Sequence, residues 1–253
     1  MDALQIVVLT AVSMCAGAIN AVAGGGTLLS FPALMAAGFD AKVANITNTV
    51  AIWPGSVGGS LAYRQELGER KRRLWLLFAP SVLGALVGAL LLLSTPQSAF
   101  NAVVPFLIYF ACGLLAAQSR LTQLTQSMRF ISADVTQVPI VAHLSIFAIA
   151  VYGGYFGAGI GIMMLAVLSV VAPDTLHHSN ALKGMLALVI NFVALVCFAI
   201  LAPVAWSVAA FMAVGSVTGG YFGVRVARHW DPRILRWLIV GYGLVVATVL
   251  LLR

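Results

Sequence analysis

The stretch Asn20 to Leu34, NAVAGGGTLLSFPAL, places three consecutive glycines and then a proline inside an apolar run. In a helix interior each glycine costs about 1 kcal/mol relative to alanine and each proline about 3 kcal/mol. The stretch is therefore built for something other than an unbroken helix.

On either side the chain is apolar. Hydrophobic residues make up 62% of the 253 positions and charged residues 8%, with a mean hydropathy of +1.04. A soluble domain carries roughly a quarter of its residues charged, so this is an integral membrane protein. Apolar segments recur along the whole length, and a membrane-crossing helix needs about 20 such residues. The fold class is all-α, a polytopic transmembrane bundle without a separate soluble or enzyme domain. Ala21-Val22-Ala23 mimics a cleavage site after an apolar stretch, but no basic residue precedes Lys42, and Asp2 is the only charge before Asp40. With no basic region ahead of it, the segment is expected to stay as a mature helix. Cys15, Cys112 and Cys197 are scattered, without CxxC spacing, and read as apolar residues facing lipid or bundle.

Apolar segments are expected at about 4 to 23, 26 to 38, 43 to 62, 74 to 94, 99 to 118, 138 to 156, 159 to 172, 179 to 201, 204 to 224 and 234 to 252. The second and seventh are short, and each follows a glycine cluster, so each reads as a half-helix or one arm of a re-entrant hairpin. With an offset of 135, Gly24 and Gly26 fall on Gly159 and Gly161, Asn45 on Asn180, and Asn48 on Lys183. With an offset of 131, Gly84 and Gly88 fall on Gly215 and Gly219. The expected organisation is a first repeat over 1–118, a cytoplasmic linker over 119–137 and a second repeat over 138–253.

The net charge of +7 sits in a few short loops, where it signals topology and not nucleic-acid binding. Arg64, Arg70, Lys71, Arg72 and Arg73 lie between the third and fourth segments, while the equivalent second-half loop near Pro203 has no basic residue. Arg225, Arg228, Arg233 and Arg236 lie between the ninth and tenth, while Ser94 to Ser98 has none. With positive loops inside, the halves have opposite topology and the linker, with Arg120 and Arg129, is cytoplasmic. Eleven of the fourteen basic residues then face the cytoplasm.

Inverted repeats with glycine-interrupted segments at matching positions are the architecture in which secondary transporters build a midplane site. Glycine lets backbone N–H groups be approached closely, and the start of the following helix carries the positive end of its dipole. The natural ligand is an anion, held by Gly24, Gly25, Gly26 and Thr27 on one side and Gly157, Gly159 and Gly161 on the other. Pro32 is expected to end or kink the first short helix. Gly84-xxx-Gly88, Gly215-xxx-Gly219-xxx-Gly223 and Gly55-xxx-Gly59 carry the spacing of helix packing and are assigned to it.

Lys183 is the one full charge well inside a predicted span, where it either meets substrate or snorkels to the interface. Its repeat mate Asn48 and the paired Asn45 and Asn180 add polar donors. Asn20 serves as ligand or as interhelical glue, as does Asn191. His177 and His178 read as a solvated helix cap, and His143 as a proton site or an interfacial residue. All seven carboxylates, Asp2, Asp40, Glu66, Glu69, Asp134, Asp174 and Asp231, fall in loops or at helix ends. That disfavours a carboxylate relay for protons or sodium, although carbonyls of a broken helix bind sodium without one. An anion carried alone leaves the cell, driven by about 2.3 kcal/mol per 100 mV for each charge.

At GAINAVAGGGTLLSFPALMAAG, ANITNT and GSVGGSLAYR in the first half, and GGYFGAGIGIMMLAVL and SNALKGMLALVINFVA in the second, the chain resembles the sulfite exporter TauE/SafE family of membrane permeases. The resemblance spans nearly the whole chain and implies ATP-independent transport of sulfite, sulfoacetate or related sulfonates. It places the family's glycine-rich, Asn and N-x-x-K positions on Gly24 to Gly26, Asn45, Gly157 to Gly161, Asn180 and Lys183. The second repeat departs from the pattern at Ile160 and in lacking a counterpart of Pro32. The expected function is a multi-pass secondary permease of the bacterial inner membrane, exporting small sulfur anions by alternating access. Cation-coupled anion uptake and a structural, non-transport role are the alternatives. No catalytic residue, metal or cofactor is expected, since HExxH, an intramembrane Asp pair and a suitably spaced Ser/His pair are all missing. The partners expected are a small anion and the bilayer, not nucleic acid, with homo-oligomerisation left open.

Overall fold

The computed structural model describes residues 2–22, 25–61, 68, 71–127, 138–171, 176–227 and 232–252. Among them every regular element is a helix: α1 (Ala3–Val22), α2 (Thr27–Ala36), α3 (Ala41–Leu61), α4 (Lys71–Ser94), α5 (Gln97–Ser127), α6 (Ile140–Tyr155), α7 (Ile160–Val171), α8 (Leu176–Leu201), α9 (Trp206–Ala227) and α10 (Pro232–Leu251). Five of them, α1, α4, α5, α8 and α10, are long and apolar enough by themselves to cross a bilayer. With 10 and 12 residues, α2 and α7 reach about 15 and 18 Å at 1.5 Å per residue, roughly half of a 30 Å hydrocarbon core.

Two boundaries differ from the sequence expectation. Pro32 lies inside α2 without ending it. The stop comes at Gly38, whose φ of 95° is a left-handed conformation that glycine adopts without penalty. There Gly38 N–H donates to Met35 O and Phe39 N–H to Leu34 O, closing the last turn. At the other boundary α5 continues to Ser127, past residue 119, where the linker was expected to begin.

Helix adjacencies come in pairs when α1–α5 are exchanged with α6–α10. α1 packs on α9 as α6 does on α4, α3 on α9 as α8 does on α4, and α2 on α3 as α7 does on α8. α3 meets α8, and α5 meets α10, across the middle of this exchange. Apolar association gains little in lipid, so close backbone approach and interhelical hydrogen bonds carry the assembly. A Cβ added at Gly215 would collide with Thr10 O, and one at Gly219 with Met14 O. These contacts advance together by four residues, so α1 and α9 run in the same direction. Likewise Gly84 abuts Phe147 and Ala150, and Gly88 abuts Val151 and Tyr155, so α4 and α6 run together. The packing assigned to these glycines from their spacing is what they do.

Polar bonds tie α3 to its neighbours. The Ser216 hydroxyl donates to Ala51 O at 2.8 Å, the Ala205 N–H to Thr47 Oγ1 at 3.2 Å, and the Trp53 indole N–H to Leu188 O at 3.1 Å. From Thr47 to Gly55 the contacts of α3 move up α9, from Ala205 to Gly220, so those two helices are also parallel. Residues 202–205 connect α8 to α9 without helical structure.

Candidate functional site

The second glycine cluster forms a tight turn. Gly157 and Gly159 have φ of 78° and 79°, a region costly for any residue with a Cβ, and they flank Ala158. Phe156 N–H and Gly157 N–H both donate to Tyr152 O, and the Tyr152 hydroxyl donates to Ala158 O at 2.7 Å. Met163 N–H donates to Gly159 O at 3.2 Å, which starts α7. Phe31 of α2 meets Phe156 edge to face at 5.4 Å, so the two short-helix regions are in direct contact.

The first cluster closes differently. Asn20 Oδ1 accepts the Gly26 N–H at 2.8 Å, and Gly26 packs so tightly on Ala16 O that a Cβ would collide with it. Asn20 thus works as the cap that joins α1 to α2. Gly25 is buried next to the Leu115 side chain, Thr27 opens α2 half-buried, and Gly24 lies outside the described residues.

The amide and lysine positions gather on α3 and α8. Lys183 is half-buried, and its ammonium donates to Asn180 Oδ1, one turn earlier, at 3.0 Å. Its stem lies beside the start of α7, where a Cβ on Gly161 would stand 3.8 Å from Lys183 Cδ. This brings a cation, an amide and a helix start together on the second half. On α3, Asn45 and Asn48 are each 1% exposed. The Asn45 Nδ2 donates to Tyr155 O, at the end of α6, at 2.9 Å. Gly157 lies near Asn191, whose Nδ2 donates to Ala187 O within α8. His143 meets Pro139 O through Nδ1 at 3.1 Å, a local contact at the start of α6. His178 is half-buried, and the side chain of His177 lies outside those described. The described carboxylates, Asp2 and Asp40, are exposed at helix starts.

Sequence reasoning did not single out Tyr152, Trp53 or Thr47. Tyr152 stands four residues, about one helical turn, before Phe156 at the end of α6. Trp53 and Thr47 bond to partners 135 and 158 residues away, which no local pattern announces.

The family model for the sulfite exporter TauE/SafE matches residues 9–250. A probable membrane transporter protein of Haemophilus influenzae is 26% identical over 246 residues, covering 93% of this chain and 90% of the relative. The probable membrane transporter protein YfcA of Escherichia coli K12 is 26% identical over 252 residues, covering 98% and 90%. The probable membrane transporter protein ORF9 of a Sinorhizobium species is 27% identical over 241 residues, covering 93% and 88%. No solved structure matches.

Proposed function

Because the chain belongs to the sulfite exporter TauE/SafE family and is a multi-pass membrane transporter of that type, we propose that it carries small sulfur oxyanions, sulfite or organosulfonates, across the bacterial inner membrane. The observation that carries this reading is the Lys183 ammonium, bonded to Asn180 and lying against the start of α7 at Gly161. A lysine held within a span by a neutral amide, and set beside the positive end of a helix dipole, is arranged for an anion. Sulfonate and sulfite oxygens accept several hydrogen bonds at once, which suits an ammonium beside backbone N–H groups.

In this reading the halves are inverted repeats, supported by the paired helix adjacencies and by the exchange of basic loops between the halves, and they rock about the site in alternating access. An anion carried alone moves outward down the membrane potential, which makes the protein an exporter. The test is efflux of sulfite, sulfoacetate or taurine from proteoliposomes with and without an imposed potential, with Lys183→Ala as the comparison. Potential-driven efflux that Lys183→Ala abolishes is the expected result; equal efflux from folded wild-type and variant protein would remove Lys183 from the site.

A further inference from the structure

We infer that Asn45 and Asn48 form a binding site for a sodium-sized monovalent cation next to the C-terminal end of α6. Asn45 Oδ1 and Asn48 Oδ1 are fully buried and accept no hydrogen bond from any described residue. The orientation of Asn45 is not open to exchange of its amide ends, because Nδ2 must face the Tyr155 carbonyl to donate to it. Its oxygen is therefore committed to the other side, and Asn48 sits one turn further along the same face of α3. Tyr155 ends α6, so its carbonyl belongs to the negative end of that helix dipole.

The second half shows what such an oxygen takes. Asn180 is the counterpart of Asn45 and Lys183 that of Asn48, both at the offset of 135. There the amide oxygen accepts a hydrogen bond from the Lys183 ammonium. The first half has the same acceptor, but a neutral amide stands where the lysine would be. A soluble cation takes in the first half the part that the fixed ammonium plays in the second. Amide oxygens without a carboxylate suit a singly charged hard cation, whereas a divalent ion calls for anionic ligands. An amide oxygen is too weakly basic to hold a proton near neutrality, so the ligand is a metal cation and not H⁺.

The site rests on the transport reading for its role and replaces movement of the anion alone with movement alongside a cation. An anion that travels with one sodium ion moves with one charge fewer, and the sodium gradient then joins the potential in setting the direction. Sodium binding itself can be read without any flux. The melting temperature of the purified full-length protein is measured in sodium and in choline salt at equal ionic strength. Sodium should raise it by a few degrees in the wild type, as expected for a ligand that binds only the folded state. Asn48→Lys, which places an ammonium beside Asn45, should fold with no sodium-specific rise, and Asn48→Asp should enlarge the rise. A wild type indifferent to sodium, or an undiminished rise in Asn48→Lys, overturns the site. Lys183→Met should keep the sodium response while losing anion flux, so failure of the anion reading appears in a different variant from failure of the cation site.

Discussion

Alanine at Gly161 and alanine at Gly88 should have opposite consequences. At Gly161 a Cβ would stand 3.8 Å from Lys183 Cδ and 4.0 Å from Cε, ordinary contact that requires nothing to shift. Gly161 is also within α7, where alanine is favoured over glycine by about 0.5–1 kcal/mol. Gly161→Ala should therefore be at least as stable as the wild type. The added methyl covers the backbone where, in the proposed site, an oxyanion would approach both the ammonium and the helix start. If it removes one hydrogen bond to a charged group, worth about 1.5–3 kcal/mol, binding weakens roughly 10- to 100-fold. At Gly88 a Cβ would collide with Val151 O and stand 3.0 Å from Tyr155 N. Both atoms are backbone, so α4 and α6 must part, at about 1–3 kcal/mol. Melting of the purified variants, paired with anion uptake or efflux in liposomes, reads both effects. Wild-type flux in Gly161→Ala would refute the placement of the anion at α7. A Gly88→Ala protein as stable as the wild type would refute the packing.

Other substitutions separate the turn from the scaffold. Tyr152→Phe removes the hydroxyl that holds Ala158 O; a loss of about 0.5–1.5 kcal/mol and a several-fold fall in flux should appear together in melting and liposome assays. Ser216→Ala frees Ala51 O between α3 and α9, and should lower stability by about 1 kcal/mol with flux per folded molecule unchanged. Lys42 donates to both Leu93 O and Thr95 O at 2.8 Å, covering the last carbonyls of α4. Lys42→Met should destabilise by about 1.5 kcal/mol, measured by thermal melting, while anion selectivity stays the same.

The helices and the two breaks were legible because glycine and proline act locally. Gly24 to Gly26 and Gly157 to Gly161 mark the points where α1 gives way to α2 and α6 to α7. Pro32 did not end α2; the stop was the left-handed Gly38. Which glycines pack was readable from spacing, since a four-residue repeat puts small residues on one face of a helix. The partner of each amide was not readable. Asn20 reaches six residues ahead to Gly26, while Asn45 reaches across the halves to Tyr155. Both are asparagines within apolar runs, and only the fold tells them apart. The same holds for Trp53, whose bond to α8 depends on how the halves meet.

That meeting also bears on where Asn48 and Lys183 lie between two similar halves. Trp53 donates its indole N–H to Leu188 O, and Leu188 is its own counterpart at the offset of 135. A residue that touches its counterpart lies near the axis relating the halves. Asn48 and Lys183, also counterparts, lie on the same two helices, about one and a half turns before Trp53 and Leu188 at 3.6 residues per turn. Under the proposed alternating access the halves would exchange conformations about that axis, and points near it would move least, so these two positions would stay close to the fixed part of the motion.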